Sequence, residues 1–272
     1  MVKSEISKIL HSKRSLCFIF LLIIIPVIDF WMQLKDIRFA SGYDEYLKHP
    51  AMAGFLSAST SGHLPQMLFF WMFPLFTIII YSNFIIQEKK CGLTSSLVVR
   101  IGQRKYYKFK MILSFCVFST VVFVSLLLNF FMVLVVFHHG QSFEGLEQLL
   151  NDKMFTGSFL GWEIKHAYLN YIIFTITTSV ICGLCGVMCS ALASILQNAK
   201  TVYITSIIIW FLQFTILPAL VPNYFHCDIF ACIQPFTESG IVEICIASSF
   251  YLITISVILI ILYRKRVKCD EI

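Results

Sequence analysis

The stretch that decides the fold is residues 111–137, MILSFCVFSTVVFVSLLLNFFMVLVVF, which contains no charged residue. A helix needs about 20 apolar residues to cross roughly 30 Å of hydrocarbon, because it rises about 1.5 Å per residue. Five further apolar stretches occur along the chain. We therefore predict an all-α polytopic membrane protein with about six transmembrane helices, at 15–32, 65–86, 111–137, 168–196, 201–221 and 242–263.

The composition agrees with a membrane protein and excludes an ordinary soluble domain. Of the 272 residues, 58% are apolar and 13% are charged, whereas soluble domains average roughly 25% charged residues. The net charge of +6 would suit a nucleic-acid partner, but the basic residues flank apolar stretches, where membrane topology explains them. We therefore expect membrane lipid as a partner and no nucleic acid.

The distribution of lysine and arginine orients the predicted helices. With six spans, both termini lie on the same side as the loop 87–110 and the turn 197–200, and most basic residues fall on that side. Cytoplasmic loops are enriched in Lys and Arg. We therefore expect an N-in, C-in, multi-pass protein of the cytoplasmic (plasma) membrane of a bacterium, in which residues 1–272 form one transmembrane domain.

The segment before the first span has a helical apolar pattern. Val2, Ile6, Ile9 and Leu10 recur at helical spacing, opposite to polar residues such as Lys3. This pattern predicts a short amphipathic helix that lies on the cytoplasmic membrane surface. A frayed basic tail is the alternative interpretation.

The cytoplasmic connection at 87–110 is the longest inner loop and carries the functional signal. Gly92 can end one helix, residues 94–99 can form a short amphipathic helix, and Gly102 can turn the chain back towards the membrane. A helix held in this way could dock on a soluble partner. The alternative is a basic loop that only enforces the topology.

This loop resembles the coupling segment of the type-2 permease family of ATP-binding cassette (ABC) transporters. The family pattern is an acidic residue, a Gly with a nearby Thr, an apolar pair, a basic turn, an aromatic residue and a Lys. The matching residues are Glu88, Gly92, Thr94, Leu97, Val98, Arg104, Tyr107 and Lys110, with Leu93 intervening between Gly92 and Thr94. The six-span layout and the amphipathic start are also similar to the family, so the resemblance covers the whole chain.

The resemblance implies a function and partners. In the family, this stretch is the coupling helix, which seats in a separate ATP-binding cassette ATPase and passes its motion to the spans. The implied ATPase-coupling residues are Glu88, Gly92, Thr94, Leu97, Val98 and Arg104. A second copy of the permease, or a sister permease, completes the transport path, and ATP binds to the partner subunit.

Sequence motifs for chemistry on this chain itself are lacking. No Gly-rich phosphate-binding loop ending in Lys and Ser or Thr occurs, and there is no HExxH, paired acidic or GxSx serine motif. We therefore expect a transport subunit that is not an enzyme and binds no cofactor of its own.

The cysteine pattern does not predict a metal site. Cys182, Cys185 and Cys189 lie among small residues of the fourth span, which favours close helix packing over a metal cluster. The outer-side histidines have no recognised ligand spacing. A disulfide between Cys227 and Cys232 stays open, because spacing alone does not establish the required geometry.

A few polar residues inside the spans are candidates for a substrate path. Asp29 is the clearest ionisable one, and charge within the membrane is costly enough to suggest a function, although its place near the outer end would also let it reach water. The other candidates are Ser114, Ser125, Asn129 and Gln213. Hydrogen bonding between helices is the alternative role of these four residues.

Two functions follow from these observations. The first is the permease subunit of an exporter that moves an amphiphilic substrate, such as a peptide, an antibiotic or a lipid-like molecule, by alternating access. Outer loops without a binding domain favour export over import. The alternative is a membrane-bound immunity or sensor protein that binds a toxin at its outer loops without transport.

Overall fold

The computed structural model describes residues 2–39, 47–57, 64–143, 146, 159–196, 198–220, 229–237 and 240–268. Within these ranges the chain is helical without a β-strand, apart from an isolated bridge between Lys48 and Ser142. The helices are α1 (Val2–His11), α2 (Lys13–Phe39), α3 (Leu64–Trp71), α4 (Phe73–Thr77), α5 (Asn83–Lys90), α6 (Leu93–Ile101), α7 (Gln103–Val136), α8 (Phe159–Lys165), α9 (Ala167–Ile195), α10 (Ala199–Leu220), α11 (Ile229–Cys232) and α12 (Ile241–Leu262). Two π-helical turns, Ile78–Ser82 and Tyr263–Lys268, follow α4 and α12.

Five helices in the described ranges are long and apolar enough to cross a membrane: α2, α7, α9, α10 and α12. A sixth candidate, at the predicted second span, is a bent pair in which α3 is followed at 52° by the run Phe73–Lys90 that contains α4 and α5; this geometry fits a broken span or a re-entrant loop. Each predicted span therefore corresponds to one helix or to this bent pair. The chain is a multi-pass, all-helical membrane protein.

The bend in the second span is explained by Pro74. Proline has no backbone N–H and its ring clashes with the carbonyl four residues earlier, which here is the carbonyl of Phe70. The chain leaves the helix at Met72, immediately before α4. The indole N–H of Trp210 on α10 donates to the Phe70 carbonyl at 2.9 Å, so a side chain from another span satisfies the group that the proline leaves free.

A side chain of another helix also bonds to the carbonyl that is freed by Pro26 inside α2. The carbonyl four residues earlier belongs to Leu22, and the Ser125 hydroxyl on α7 donates to it at 2.9 Å. One turn further along α7, the Asn129 amide donates to the Pro26 carbonyl at 2.7 Å and accepts the Phe55 backbone N–H at 3.0 Å. These bonds join α2, α7 and residues 51–57.

The antiparallel pair of α7 and α9 forms the centre of the bundle. Gly186 lets the helices approach so closely that a Cβ atom there would lie 2.4 Å from Cδ2 of Phe118. The Ser190 hydroxyl donates to the Ser114 hydroxyl at 2.8 Å and lies 3.3 Å from the Ser82 hydroxyl of the second span. The three cysteines of this face are buried in the same packing: Cys182, Cys185 and Cys189.

The far end of the bundle, where α7 ends and α9 begins, is closed by two irregular segments. Residues 51–57 are completely buried there, and Gln66 donates to the Phe55 carbonyl at 2.7 Å. In the segment 229–237, Phe230 and Phe236 are buried in the main core, and Phe236 has a positive φ of 61°. This segment is the described part of the connection between α10 and α12.

The third span begins earlier than predicted. α7 starts at Gln103 rather than at 111, because Tyr106, Tyr107 and Lys110 are buried against neighbouring helices instead of lying in a loop. The predicted loop 87–110 is therefore shortened to α6 and its two flanking turns.

The close approach of α7 and α9 gives a stability prediction for Gly186. We expect Gly186→Ala to lower the free energy of unfolding by about 1–3 kcal/mol, because the added methyl group must displace the buried Phe118 ring. Thermal unfolding in mild detergent measures the effect. Val180→Ala, which alters a side chain of the same helix that is 39% exposed, serves as the control and should change stability by less than about 0.5 kcal/mol. Equal effects of both substitutions would contradict the proposed close packing.

Candidate functional site

The short helix α6 stands between two glycines with left-handed backbone conformations. Gly92 at its start has a φ of +71° and Gly102 at its end has a φ of +84°. Residues with a Cβ atom adopt this region at a cost, whereas glycine does so readily. The two glycines therefore allow the chain to turn sharply on both sides of α6, which covers the predicted helical stretch 94–99.

The side chains of α6 differ in burial. Leu97 and Val98 pack against the main core, and the hydroxyl oxygen of Thr94 is buried. Two other apolar side chains of α6 are exposed: Leu93 is 52% exposed and Val99 is 86% exposed. Exposed apolar side chains on a helix that is otherwise packed on the core are suited to contact with a partner.

Four charged side chains next to α6 form a closed network, here called the charge cluster: Glu5, Lys8, Glu88 and Lys110. Lys110 Nζ lies 2.6 Å from the Glu5 carboxylate and 2.9 Å from the Glu88 carboxylate. Lys8 Nζ lies 2.7 Å from each of the same two carboxylates. Each ammonium group therefore bridges both carboxylates, and the four charges balance.

Because the side chains of the charge cluster are largely buried, their charges must compensate one another. Lys110 is completely buried, and Glu5 and Glu88 are only 4% and 5% exposed. The cost of burying an ion is several kcal/mol unless opposite charges and hydrogen bonds compensate it. Burial also lowers the pKa of Lys8, but its hydrogen bonds to both carboxylates outweigh this effect and raise the pKa above its ordinary value. Lys8 is therefore charged at neutral pH.

Two tyrosines complete the charge cluster. The Tyr106 hydroxyl donates to Glu88 Oε2 at 2.7 Å. The Lys110 ammonium lies 5.5 Å from the centre of the Tyr106 ring and 5.8 Å from the centre of the Tyr81 ring, within the range of cation–π attraction. Since Tyr81 lies in the π-helical turn after α4, the cluster joins α1, the second span and α7.

The neighbouring residue Lys89 makes a second connection from the end of α5. Its ammonium group donates to the carbonyl of Ala193 at 3.2 Å and to the carbonyl of Ser194. Both carbonyls belong to the last turn of α9, where helical carbonyls lack partners within the helix and a positive charge is favourable. Glu88 and Lys89 thus connect the segment just before α6 to opposite parts of the bundle.

The structure brings most of the predicted coupling residues together. Glu88 lies in the charge cluster, while Thr94, Leu97 and Val98 form the inner side of α6. Gly92 and Arg104 flank this group; the Arg104 guanidinium lies 6.0 Å from the centre of the Tyr263 ring, at the end of α12.

The polar residues predicted along a substrate path have different environments. Ser114, Ser125 and Asn129 each make the bonds to other helices described above. Asp29 is 1% exposed and accepts a hydrogen bond from Gln33 at 2.8 Å, so its side chain does not reach the surface of this chain. Gln213 is 2% exposed, and neither atom of its amide has a hydrogen-bond partner in the described part of the chain.

Metal-ligating residues do not cluster in the structure. The described residues contain no group of three or more His, Cys, Asp or Glu side chains that could hold a metal ion. Cys227, one half of the disulfide considered from the sequence, lies outside the described residues.

Sequence reasoning missed two members of the charge cluster, Glu5 and Lys8. A signal for them was present, because Glu5 is the only acidic residue before Asp29 in an otherwise basic start of the chain. An acidic residue at a position facing the apolar side of an amphipathic helix indicates a buried cationic partner. The sequence does not single out Lys110 as this partner among the lysines of the predicted cytoplasmic side.

Comparison with known proteins gives one relative over the whole length. The chain is 30% identical over 269 residues to a Bacillus subtilis (strain 168) protein named "Uncharacterized protein YybM", and the match covers 97% of this chain and 98% of the relative. No family profile matches the chain. No solved structure matches it.

The charge cluster predicts a large effect of removing one charge. Lys110→Met leaves two buried carboxylates facing a single ammonium group, so we expect a loss of about 3–5 kcal/mol of stability, or failure to accumulate in the membrane. Lys108→Met removes an exposed lysine two residues away and should cost less than about 0.5 kcal/mol. Thermal unfolding of both variants in detergent measures the difference. If Lys110→Met were as stable as Lys108→Met, the cluster would have no structural role.

Proposed function

The chain belongs to the same protein family as YybM of Bacillus subtilis, and we propose that it is the membrane-spanning permease subunit of an ATP-driven exporter. The observation that carries this proposal is α6, a short helix held between two glycines with positive φ, on which Leu93 and Val99 are exposed. In the proposed complex, α6 is the coupling helix and a separate ATP-binding cassette ATPase covers these two side chains.

The contacts around α6 support a route for motion from the ATPase to the spans. A displacement of α6 acts on the end of α5, where Glu88 is bonded to α1 and α7 and Lys89 is bonded to the end of α9. These bonds are charge-assisted and therefore stronger than neutral hydrogen bonds. ATP binding and hydrolysis on the partner subunit would thus move α1, α5, α7 and α9 together, through the contacts of Glu88 and Lys89.

The proposal includes a topology. Both termini and α6 lie in the cytoplasm of a bacterial cell, and the six spans cross the cytoplasmic membrane. The helix α1 lies along the inner membrane surface; its side chains Ile6 and Leu10 are 40% and 55% exposed, which suits insertion among lipid headgroups. Lys8 then holds the polar side of α1 against Glu88.

The proposed substrate is an amphiphile, such as a peptide, an antibiotic or a lipid-like molecule. A second permease, either a copy of this chain or a sister subunit, completes the path. Among the predicted path residues, Gln213 has a buried amide without a partner in the described part of the chain. In the proposed complex, the Gln213 amide therefore forms hydrogen bonds with the substrate or with the second permease.

The coupling role predicts that one exposed residue controls binding of the ATPase. Purification of the tagged chain from its own cell should recover an ATP-binding cassette ATPase. We expect Val99→Glu to reduce this recovery by about tenfold or more, because a carboxylate would be buried without a partner in an apolar contact. Val99→Thr keeps the branched shape without a charge and serves as the control. Deletion of residues 92–99 should abolish recovery.

The outcomes of this purification separate the two functions considered from the sequence. Recovery of an ATPase that depends on Val99 supports the permease. A well-folded protein that recovers no ATPase contradicts the proposal and directs attention to toxin binding at the outer loops.

The topology predicts the side from which a native cysteine is reached. Cys91 is exposed and immediately precedes Gly92. A membrane-impermeant maleimide should label it in inside-out vesicles and leave it unlabelled in intact cells. The label is located by mass spectrometry of the peptide that contains residue 91, because Cys269 lies on the same side in the proposed topology; Cys91→Ser, the control, should remove the label from this peptide. Labelling of Cys91 in intact cells would invert the proposed orientation.

A further inference from the structure

A buried carboxyl group lies at the end of the bundle opposite to the charge cluster. Glu163 on α8 is 1% exposed, and it precedes the junction with α9 by a few residues. Across this junction, the side-chain amide of Asn170 donates to Glu163 Oε1 at 3.0 Å. In the described part of the chain no lysine or arginine forms an ion pair with Glu163, in contrast to the compensated carboxylates of the charge cluster.

The second oxygen of the Glu163 carboxyl group and the single oxygen of the Asn170 amide have no hydrogen-bond partner in the described part of the chain. These two atoms, Glu163 Oε2 and Asn170 Oδ1, are both buried. Buried polar atoms are normally paired, and leaving one unpaired destabilises the folded state. Both atoms are acceptors if the carboxyl group is ionised, so they cannot satisfy each other in that state.

We propose that Glu163 and Asn170 form a proton-binding site. A proton on Glu163 Oε2 turns this atom into a donor, and Asn170 Oδ1 is the acceptor that it lacks. The neutral acid and the amide then form a pair with two complementary hydrogen bonds, N–H to Oε1 and O–H to Oδ1. One proton therefore satisfies both unpaired atoms and removes the buried charge.

The surroundings of the pair favour the neutral form. Burial raises the pKa of Glu163 to about 7, although the Asn170 amide and the backbone N–H of Phe236 act in the opposite direction. Phe236 packs on Phe143, and Phe143 stacks on His49, with ring centres 5.7 and 4.6 Å apart. The pair thus lies where α8, α9 and the segments 47–57 and 229–237 meet.

Other ionisable side chains also lie near this meeting point. Lys165 and His166 are exposed at the end of α8, and Lys48 and His49 are partly buried in the segment 47–57. Burial lowers the pKa of His49 and raises the pKa of Glu163, so burial favours the neutral form of both side chains.

The direction of the pH dependence follows from the raised pKa. The folded protein keeps the Glu163 proton up to about pH 7, whereas an unfolded glutamate releases it near pH 4.3, or about three units lower. The stabilising contribution of the neutral pair is complete below the unfolded value and is lost as the pH rises through the folded value. The far end of the bundle is therefore tightest in acid and loosens above neutral pH.

Infrared spectroscopy of the full chain in lipid nanodiscs tests the site directly. On titration from about pH 5 to about pH 9, we expect the carbonyl band of a protonated, buried carboxylic acid to disappear with a midpoint of about 7. Glu163→Gln should abolish this titrating band, because an amide cannot ionise. It should also preserve the fold, since Gln can form the same paired bonds with Asn170.

Two controls identify the titrating group. Glu243→Gln changes the described acid at the start of α12 and should leave the band in place, and His49→Gln should do the same. Thermal unfolding gives an independent readout: raising the pH across the same range should lower the melting temperature of the unaltered protein, and Glu163→Gln should remove this dependence.

Several results would overturn the proposal. They are the absence of a titrating carboxyl band, a band that persists in Glu163→Gln, or stabilisation by added sodium or calcium at alkaline pH that depends on Glu163. The last result would make the pair a metal-cation site. Should Glu163→Gln fail to fold, Glu163→Asp provides the second variant; its shorter acid cannot reach Asn170, so an unchanged midpoint would exclude the pair.

Discussion

The constraint on which this structure depends is that hydrocarbon offers no hydrogen-bond partner to an exposed backbone group. Pro26 and Pro74 each free a carbonyl inside a span, and in both places a side chain from another span donates to it: Ser125 in the first case and Trp210 in the second. Satisfying the freed groups therefore selects the neighbours of these spans. The helices are paired by these specific bonds as well as by the packing of small residues.

Burying a charged group without a partner costs more free energy than burying an unpaired backbone group. Lys110 is completely buried at the end of an apolar helix, and this position is tolerable because two carboxylates and two aromatic rings surround it. One of these carboxylates comes from α1, so the N-terminal helix is held by ion pairs as well as by the burial of Ile9 in the main core. Because Glu88 lies just before α6 and is bonded to α1 and α7, a movement of α6 is transmitted to these helices.

Local patterns predicted the elements, and long-range contacts could not be predicted in the same way. Apolar length was sufficient to locate five candidate spans and the bent pair, and two glycines were sufficient to delimit α6. The charge cluster joins residues separated by about a hundred positions, and nothing in the sequence near Glu5 specifies Lys110 over the other lysines of the cytoplasmic side. The start of α7 was placed too late for the same reason, since Lys110 is read as a loop residue unless its partners are known.

The roles of the polar residues inside the spans could not be predicted from the sequence. Ser125, Asn129 and Gln213 look equivalent in the sequence, because each is a single polar residue in an apolar helix. Their roles depend on which backbone groups lie opposite in the rest of the fold. The Ser125 hydroxyl meets the Leu22 carbonyl that Pro26 frees, and the Asn129 amide donates to the carbonyl of Pro26 itself and accepts the backbone N–H of Phe55, whereas the amide of Gln213 has no partner in the described part of the chain. An unpaired buried amide costs free energy, so residues that look alike in the sequence contribute to the stability of the fold with opposite signs.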